Sequence, residues 1–365
     1  MTSVSKRVRD GRTTYLVRWR DDAGRQHKRS FVRKVDADRY ATEIGHTMLA
    51  GTYVDPKLGR ETFKAYAERW RAVQPWRPNT STRVASELGR HVYPVVGARP
   101  VAAVRPSEIS ALVASLSISL SPATVRVTMS TVRAIFRAAV RDRVVAANPC
   151  DGVKLPAVER RQVVPLTADQ VRAIATHLPG RYAAIPVVGA GTGLRQGELF
   201  GLQVPDVDFL RRTMRVARQV QPHGVVPLKT AGSARTIPLG TVVVAALAEH
   251  LSRYPAGGDG WVFTDEDGRP LNRRSLERAW VAAVAAAGLP KLGMHQLRHT
   301  FASMLIGAGQ SVKVVAERLG HSTVTETLNT YTHLWPADED RTRDAVDDAF
   351  KIDRLAPRVR PARGA

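Results

Sequence analysis

The sequence predicts a multidomain α+β protein, with a small β-rich N-terminal module, a helical bundle and a mainly α domain that holds a small β-sheet or hairpin. The chain has 365 residues, the length of two or three ordinary domains. Strand-forming residues cluster in residues 1–57, whereas apolar residues at helical spacing dominate residues 58–152. Residues 153–165 have little periodicity and are expected to be a linker. The third domain then covers residues 166–348, and a basic tail covers 349–365.

Within residues 1–57 the pattern indicates a β-hairpin followed by a helix. Residues 15–19 have strand composition, residues 21–24 supply turn residues, and residues 25–31 can return as a second strand. A helix is expected over residues 36–49, with an apolar stripe formed by Ala37, Tyr40, Ala41, Ile44 and Leu49. The basic side chains of the hairpin could enter a DNA groove or could form only a solvated face; they are Arg18, Arg20, Arg25, Lys28 and Arg29.

Residues 58–152 have the pattern of a four-helix bundle with a basic surface. Two of its helices are expected near residues 63–70 and 107–116, where apolar residues recur every three or four positions. Ser121 is suited to cap a third helix, and Pro122 is suited to its first turn. This helix also carries three arginines as candidate DNA contacts: Arg126, Arg133 and Arg137. The alternative is a small helical domain of another kind.

The net charge of the chain indicates a negatively charged partner. It has 55 Lys and Arg against 33 Asp and Glu, a net charge of +22, and the excess is spread along the whole chain. A polyanion contacted by every domain explains this pattern, because each neutralised phosphate releases counterions. A compositional preference for arginine, typical of a GC-rich bacterial host of actinobacterial type, is the alternative for part of the excess.

Other features bear on the compartment. No apolar run has the length of a membrane helix, and the N-terminus lacks the apolar segment of a secretory signal. The single cysteine, Cys150, excludes an intramolecular disulfide and a cysteine-based zinc site. These features predict a cytoplasmic, nucleoid-associated protein with no membrane partner.

Four segments of residues 166–348 carry side chains suited to phosphate chemistry. In TGLRQGEL, glycines precede a helix that begins near Arg195, and Glu198 could fix that arginine. Taken alone, an arginine and a glutamate three residues apart are more often a surface pair. Residues 225–239 end in LKTAGSARTIPL, and their two apolar runs flank TAGS and indicate a β-hairpin with Lys229 near its turn. Lys229 could protonate a leaving oxygen there or could simply be solvated.

The third and fourth segments supply histidines, an arginine and a tyrosine. In HQLRHTFAS, His295 and Arg298 share a helix face and could form an anion site at the helix N-terminus. The core stripe of the same helix is expected to be Leu297, Phe301 and Met304. His295 and His299 have the spacing of a zinc pair, but the glutamate of an HExxH motif is missing. LGHSTVTETLNTYTHL holds His321 and Tyr331; a tyrosine is a poor nucleophile without nearby cations and is more often a packing residue.

Together and in this order, these four segments resemble the tyrosine recombinases, the phage integrase family. The resemblance is strong over about residues 165–345 and implies the tyrosine recombinase fold. It is looser over the helical segment, which resembles the family's core-site-binding domain. Residues 1–57 resemble the arm-binding module of integrases that recognise two kinds of DNA site. One departure is Gly197, where the family often has Ser or Ala; it is expected to loosen the helix start at Arg195.

The resemblance implies an active enzyme and a role for each matching residue. Tyr331 would attack the phosphodiester, form a 3′-phosphotyrosyl bond and free a 5′-hydroxyl, while Arg195 and Arg298 bind the non-bridging oxygens. The energy of the broken bond stays in the phosphotyrosine, so neither ATP nor a metal is expected as a cofactor. The other residues would assist: Lys229 as general acid to the 5′-oxygen, His295 in proton transfer at the nucleophile, His321 as a hydrogen-bond donor to the phosphate, and Glu198 in orienting Arg195.

By the same resemblance, the chain is expected to be the integrase of a phage or integrative element. It would recombine double-stranded DNA attachment sites as a homotetramer, through a Holliday junction, with an excisionase and a DNA-bending host factor as accessory partners. The segment after Tyr331 is expected to pack onto a neighbouring subunit through an apolar side formed by Ala345, Val346 and Phe350. The alternatives are a chromosome or plasmid dimer resolvase of the same family and a non-catalytic DNA-binding regulator on this fold.

Overall fold

The structure is a computed structural model that describes residues 2–9, 12–21, 24–49, 53, 58–159, 162–228, 233–335 and 339–350. The chain divides into two compact units, Met1–Arg160 and Arg161–Ala365. The boundary between them falls inside the stretch that the sequence predicts as a linker, residues 153–165. No helix in the described ranges combines the length and the apolar composition that crossing a membrane requires.

The N-terminal module is a three-stranded antiparallel sheet that carries one helix. Strands β1 (Thr2–Arg9), β2 (Arg12–Arg20) and β3 (Gln26–Phe31) lie in the order β1-β2-β3, and α1 (Lys34–Leu49) packs on one face. The predicted hairpin corresponds to β2 and β3. The buried core of the module consists of Val17, Trp19, Ala37, Ile44 and Tyr53.

Two features of this module differ from the expectation. The sequence does not predict β1, because its residues are mostly basic or polar and exposed, and its pairing with β2 is what makes it a strand. The placement of Leu49 in the apolar stripe of α1 is wrong, since its side chain is 92% exposed. Leu49 lies five residues after Ile44, which is about 140° around the helix and therefore away from the sheet.

Residues 58–152 form the predicted helical bundle. Its helices are α2 (Phe63–Ala72), α3 (Pro78–Glu87), α4 (Tyr93–Val96), α5 (Pro106–Ser119) and α6 (Pro122–Arg141). The predicted cap is confirmed, because the Ser121 hydroxyl accepts a hydrogen bond from the main-chain N–H of Thr124 at 3.3 Å. The sequence does not predict α3, whose ten polar-rich residues bury only Val84 and so lack an apolar stripe.

The second unit is mainly helical and contains two small sheets. Its helices are α7 (Ala168–His177), α8 (Ile185–Thr192), α9 (Gln196–Phe200), α10 (Thr241–Arg253), α11 (Arg273–Ala286), α12 (His295–Gly307), α13 (Val312–Leu319), α14 (Val324–Tyr331) and α15 (Glu339–Ala349). Its strands are β4 (Val207–Asp208), β5 (Thr213–Val216), β6 (Arg218–Gln221), β7 (Gly224–Pro227) and β8 (Arg235–Pro238). Helix α8 packs against α7, α10 and α12, so it lies at the centre of the core of this unit.

The strand pairing corrects the hairpin expected over residues 225–239. Its two apolar runs do not pair with each other: β7 pairs with β6, and β8 pairs with β5. The hairpin is β6–β7 instead, closed by a tight turn between Gln221 and Gly224. The polar composition of β6 hides it as a strand in the sequence, whereas β7 and β8 are more apolar. Lys229 lies outside the described residues.

Candidate active site

The main chain between α8 and α9 places Arg195. Helix α8 ends at Gly193, which has a left-handed φ of 64°. A Cβ at this position would also come within 2.3 Å of the Phe301 ring, so glycine is required by both conformation and packing. The chain then turns and begins the short helix α9 directly after Arg195, as the TGLRQGEL pattern predicts.

Glu198 holds Arg195, as the spacing predicts. Nη1 of Arg195 donates to Oε1 of Glu198 at 3.0 Å, and the main-chain N–H of Arg195 donates to Oε2 at 2.9 Å. The Glu198 side chain is 2% exposed, whereas that of Arg195 is about one-third exposed. Burial disfavours the carboxylate, but hydrogen bonds and charges from Arg235 and Arg195 outweigh it and lower the pKa of Glu198 below its usual value. Glu198 is therefore charged at neutral pH.

Arg298 is buried and incompletely bonded. Its side chain is 2% exposed, and Nη1 donates to the carbonyl of Gly193 at 2.8 Å. Nη2 has no hydrogen-bond partner among the residues that the structure describes. Burial and the positive charge of Arg195 lower the pKa of Arg298 to about 10, so it stays protonated at neutral pH. A buried cation with a spare donor is costly unless an anion binds to it.

The core stripe of α12 is only partly as expected. Leu297 and Phe301 are buried, but Met304 is half exposed. Arg298, Thr300, Ala302 and Ile306 are buried as well, so the buried side of α12 is wider than the predicted stripe, although Met304 in the last turn is exposed. The sequence pattern misleads here because it treats an arginine as an outward-facing residue.

Tyr331 ends α14 and points to a histidine. The tyrosine is 1% exposed, and its hydroxyl is hydrogen-bonded to Nδ1 of His299 at 2.8 Å. Burial lowers the pKa of His299 to about 4 and raises the pKa of Tyr331 to about 12, so at neutral pH both groups are uncharged. The sequence suggests His299 only as a zinc partner and misses this contact. Its position directly after Arg298, a predicted site residue, could have indicated that it lies near the site.

The two other predicted histidines flank this pair. His295 is the first residue of α12, is solvent-exposed, and packs edge-to-face with His299 at 4.7 Å between ring centroids. His321 follows α13, and its Nδ1 lies 2.7 Å from the hydroxyl of the buried Thr327. Burial and the charge of Arg298 lower the pKa of His321 to about 3, so it is neutral. With Thr327 donating to Nδ1, Nε2–H can serve as a donor to an anion.

A third arginine, which the sequence does not single out, joins this site. Arg235, the first residue of β8, donates from Nη2 to Oε2 of Glu198 at 2.8 Å. A Cβ on Gly320 would come within 2.8 Å of the Arg235 guanidinium, and Gly320 also has a left-handed φ of 65°. The glycine before His321 is thus fixed by both constraints. Among the described residues, no group of three or more His, Cys, Asp or Glu could hold a metal ion.

Gly197 does not loosen the start of α9; this expectation is wrong. A Cβ at Gly197 would lie 2.7 Å from the main-chain carbonyl oxygen of Val220 in β6. The glycine therefore lets β6 pack closely behind the helix that follows Arg195.

We expect Gly197→Ala to destabilise the second unit by about 1–3 kcal/mol, because a rigid main-chain oxygen occupies the space of the new methyl group. Urea unfolding followed by circular dichroism measures the change. The matched control is Gly307→Ala at the exposed end of α12, where a Cβ meets no atom within 4 Å. Equal stability of the two variants would contradict close packing of β6 on α9.

We also expect the protein to lose stability as the pH falls from about 6.5 towards 4. In this window the unfolded chain protonates His299 and His321, whose ordinary pKa is 6.5, while the folded protein keeps them neutral because their pKa values are about 4 and about 3. Thermal unfolding across this range should show a shallower loss for His299→Gln than for wild type. The exposed His177→Gln serves as control, and an unchanged slope for His299→Gln would count against the burial of a neutral His299.

Comparison with known proteins places these features in one family. The Phage integrase family matches residues 165–337, and the Phage integrase central domain matches residues 63–155. The XerC-like tyrosine recombinase of Caldanaerobacter subterraneus subsp. tengcongensis is 30% identical over 262 residues, which cover 63% of this chain and 67% of that protein. The integrase of Mycobacterium phage D29 is 28% identical, with 72% of each chain covered.

Solved structures confirm the predicted fold. The Tn1549 transposon integrase in complex with a circular intermediate DNA matches with a TM-score of 0.66 at 25% identity, covering 79% of this chain and 99% of that chain. The lambda integrase tetramer bound to a Holliday junction matches with a TM-score of 0.60 at 19% identity, covering 88% and 96%. The chain therefore belongs to the phage integrase family of tyrosine recombinases, the enzymes that cleave and rejoin DNA at specific sites.

Proposed function

We propose that this recombinase is the integrase of a mobile element and that the site described above performs its strand cleavage. The observation that carries the proposal is the buried guanidinium of Arg298, whose Nη2 has no partner within the described part of the chain. Arg195 and Tyr331 lie close enough to Arg298 to shift its pKa electrostatically. A phosphodiester bound between the two arginines would accept a hydrogen bond from Nη2 of Arg298, and its phosphorus would face the hydroxyl of Tyr331.

The proposed reaction balances without a cofactor. The Tyr331 oxygen forms a bond to phosphorus, the bond from phosphorus to the 5′-oxygen breaks, and the 5′-oxygen takes up a proton. Lys229 is the proposed donor of that proton, and the phenolic proton leaves Tyr331 with the assistance of His295. The same steps in reverse rejoin the strand to a new 5′-hydroxyl. His321 and Glu198 keep the supporting roles that the sequence predicts for them.

The electrostatics of the site suit this reaction. In the DNA-free protein Tyr331 is protonated and buried, which protects the nucleophile from solvent. A bound phosphate brings negative charge next to His299, and negative charge raises the pKa of a histidine. His299, already bonded to the hydroxyl, is thereby a further acceptor for the phenolic proton as the bond to phosphorus forms.

We expect Tyr331→Phe to abolish covalent attachment to DNA and to change DNA affinity by less than about threefold, because one hydroxyl contributes little to a large charged interface. The test is covalent capture on a supercoiled plasmid that carries the DNA flanking the gene, quenched with detergent. Tyr182→Phe, which removes a hydroxyl from another partly buried tyrosine of the same unit, is the matched control and should keep the adduct.

Two outcomes would overturn the assignment. A normal adduct with Tyr331→Phe would remove Tyr331 from the nucleophile role. DNA binding by the wild-type protein without an adduct, even on nicked substrates that trap the intermediate, would favour the non-catalytic regulator.

We further propose the domain assignment that the sequence predicts. Residues 1–57 would bind arm-type DNA sites, 58–152 would bind core sites, 153–165 would link the units, 166–348 would catalyse, and 349–365 would form a basic tail. Double-stranded attachment sites are the proposed substrate, and a homotetramer on DNA is the proposed assembly. An excisionase and a DNA-bending host factor are proposed accessory partners.

The N-terminal sheet supports the arm-site role through its open face. The strand register places Arg18, Arg20 and Lys28 on the face opposite α1, all exposed. The same face receives further cations from the strand pair that the sequence missed: Arg7, Arg9 and Arg12. Arg18 lies directly across from Lys28, and like charges in this position destabilise a sheet unless an anion lies between them.

The remaining candidate arginines differ in their availability. Arg29 lies on the α1 side, with its guanidinium 4.7 Å from the ring centre of Tyr40. Arg25 is bonded to Asp21 at 2.9 Å. In α6, Arg137 is exposed, and Arg126 is exposed but donates to the carbonyl of Pro156 at 3.2 Å; Arg133 is half-buried and donates to the carbonyl of Cys150 at 3.0 Å. The open face of the sheet and the exposed side of α6 are therefore the better-supported DNA contacts.

We expect combined replacement of Arg18, Arg20 and Lys28 by Gln to weaken arm-site binding and to leave core-site binding unchanged. The slope of log affinity against log salt for arm DNA should fall by about 2–3, since each lost phosphate contact removes about 0.9. The control with the same loss of charge replaces Lys6, Lys34 and Arg39. Binding titrations at several salt concentrations measure both sites, and an equal loss at both would refute the modular assignment.

The C-terminal helix supports the assembly. Val346 and Phe350 are exposed on or directly after α15, which gives it an apolar side suited to a neighbouring subunit. The side chain of Ala345 lies outside the described residues. A dimer resolvase is the second candidate, favoured by the similarity to a XerC-like recombinase. The basic sheet ahead of the helical bundle favours the integrase, because a resolvase that binds only core sites has no use for it.

A further inference from the structure

Arg235 is committed to contacts within the protein. Its side chain is 6% exposed, Nη2 donates to Oε2 of Glu198 at 2.8 Å, and Nε donates to the carbonyl of Arg318 at 2.8 Å. We infer that Arg235 is a positioning residue: it holds Arg195 in place through Glu198 and holds the end of α13, from which His321 follows. The inference rests on the proposed function, since it assigns Arg195 and His321 to the phosphate.

Glu198 transmits the effect of Arg235 to Arg195. Its two oxygens receive four donors from the two arginines: Nη1 and Nη2 of Arg235, Nη1 of Arg195 and the main-chain N–H of Arg195. The carboxylate is 2% exposed, so it depends on these donors for its charge. Without Arg235, Oε2 would keep only the main-chain donor, and the carboxylate would lose the contact that fixes its plane. Arg195 would then lose a fixed partner.

Arg235 and Arg195 also share the C-terminal end of α13. Nε of Arg235 binds the carbonyl of Arg318, and Nη2 of Arg195 binds the carbonyl of Gly320 at 3.0 Å. These carbonyls belong to the negative end of a helix and have no intrahelical partner, which is where cations stabilise a helix. The two guanidinium groups therefore fix the point at which the chain leaves α13 and enters His321.

A third contact relates Arg235 to the segment that contains Lys229. Nη1 of Arg235 donates to the carbonyl of Ser233 at 3.0 Å, the first described residue after that segment. Three acceptors in three directions match the planar fork of a guanidinium and cannot all be reached by the single nitrogen of a lysine. Because these donors are used inside the protein, Arg235 acts through Arg195 and His321 and not as a phosphate ligand.

The test measures DNA affinity and cleavage separately. Single-turnover cleavage of a nicked site that traps the phosphotyrosyl product, at saturating protein, gives the rate; a titration gives the affinity. We expect Arg235→Gln to slow cleavage by about 10- to 100-fold, as loss of a partner that orients a site residue commonly does, and to change affinity by less than about threefold. Arg235→Lys should also be slow, and it is the second variant if Arg235→Gln does not fold.

The matched control is Arg181→Gln. Arg181 is also partly buried, donates from Nη1 to the hydroxyl of Thr264 at 3.0 Å and lies 4.8 Å from the ring centre of Tyr254, so its loss tests the cost of removing a bonded arginine whose partners lie outside α9 and α13. We expect it to lower the unfolding temperature while leaving the cleavage rate within about threefold of wild type. A general structural role for Arg235 would instead make the two variants behave alike.

A double-mutant cycle with Glu198→Gln decides the route of action. If Arg235 acts through Glu198, the double variant will cleave within about threefold of the slower single variant. Slowdowns that multiply would overturn the inference, as would a wild-type rate in Arg235→Lys or a parallel loss of rate in Arg181→Gln. Failure of the proposed function is distinguishable, because wild-type protein would then form no phosphotyrosyl product at all.

Discussion

The burial of Arg298 is the constraint on which the second unit depends. A guanidinium in the core is tolerated only when its donors are met and its charge is balanced. The carbonyl of Gly193 meets one donor, and Glu198 offsets part of the charge. The left-handed turn at Gly193 presents that carbonyl to Arg298 and leads the chain into Arg195. The same turn therefore positions both arginines. Nη2 of Arg298 still lacks an acceptor among the described residues, and a phosphate oxygen would supply one.

Because the three histidines are neutral near pH 7, the positive charge of the site comes from its arginines and does not change with pH in that range. Burial together with neighbouring cations lowers the pKa values of His299 and His321 far below 6.5, and partial desolvation with the charge of Arg298 lowers that of His295. At pH 7 they are neutral donors and acceptors, with Nδ1 of His299 bonded to Tyr331 and Nδ1 of His321 bonded to Thr327. The attraction for an anion thus comes from arginines, which do not titrate, while proton movements can use imidazoles that are uncharged at the start.

The sequence predicts most of the site because its residues occur in short motifs with helical spacing. Arg195 and Glu198, three residues apart, are bonded as that spacing predicts. The residues it misses depend on contacts between distant segments: Arg235 reaches Glu198 across 37 positions, and His299 reaches Tyr331 across 32. The same reason explains the errors in the sheet. Strand β1 and the β6–β7 hairpin consist of polar residues whose pairing defines them, so alternation of apolar residues cannot reveal them.

Gly197 allows close packing of the strand pair that precedes Lys229. Strand β6 packs on α9 through Gly197 and Gly201, whose absent side chains allow main-chain contact, and β7 is paired with β6. The chain before Lys229 is thus anchored to the helix that begins at Arg195. Arg235 anchors the chain after it to the same helix, through Glu198. The described chain on both sides of the segment that contains Lys229 is therefore held to the helix that begins after Arg195.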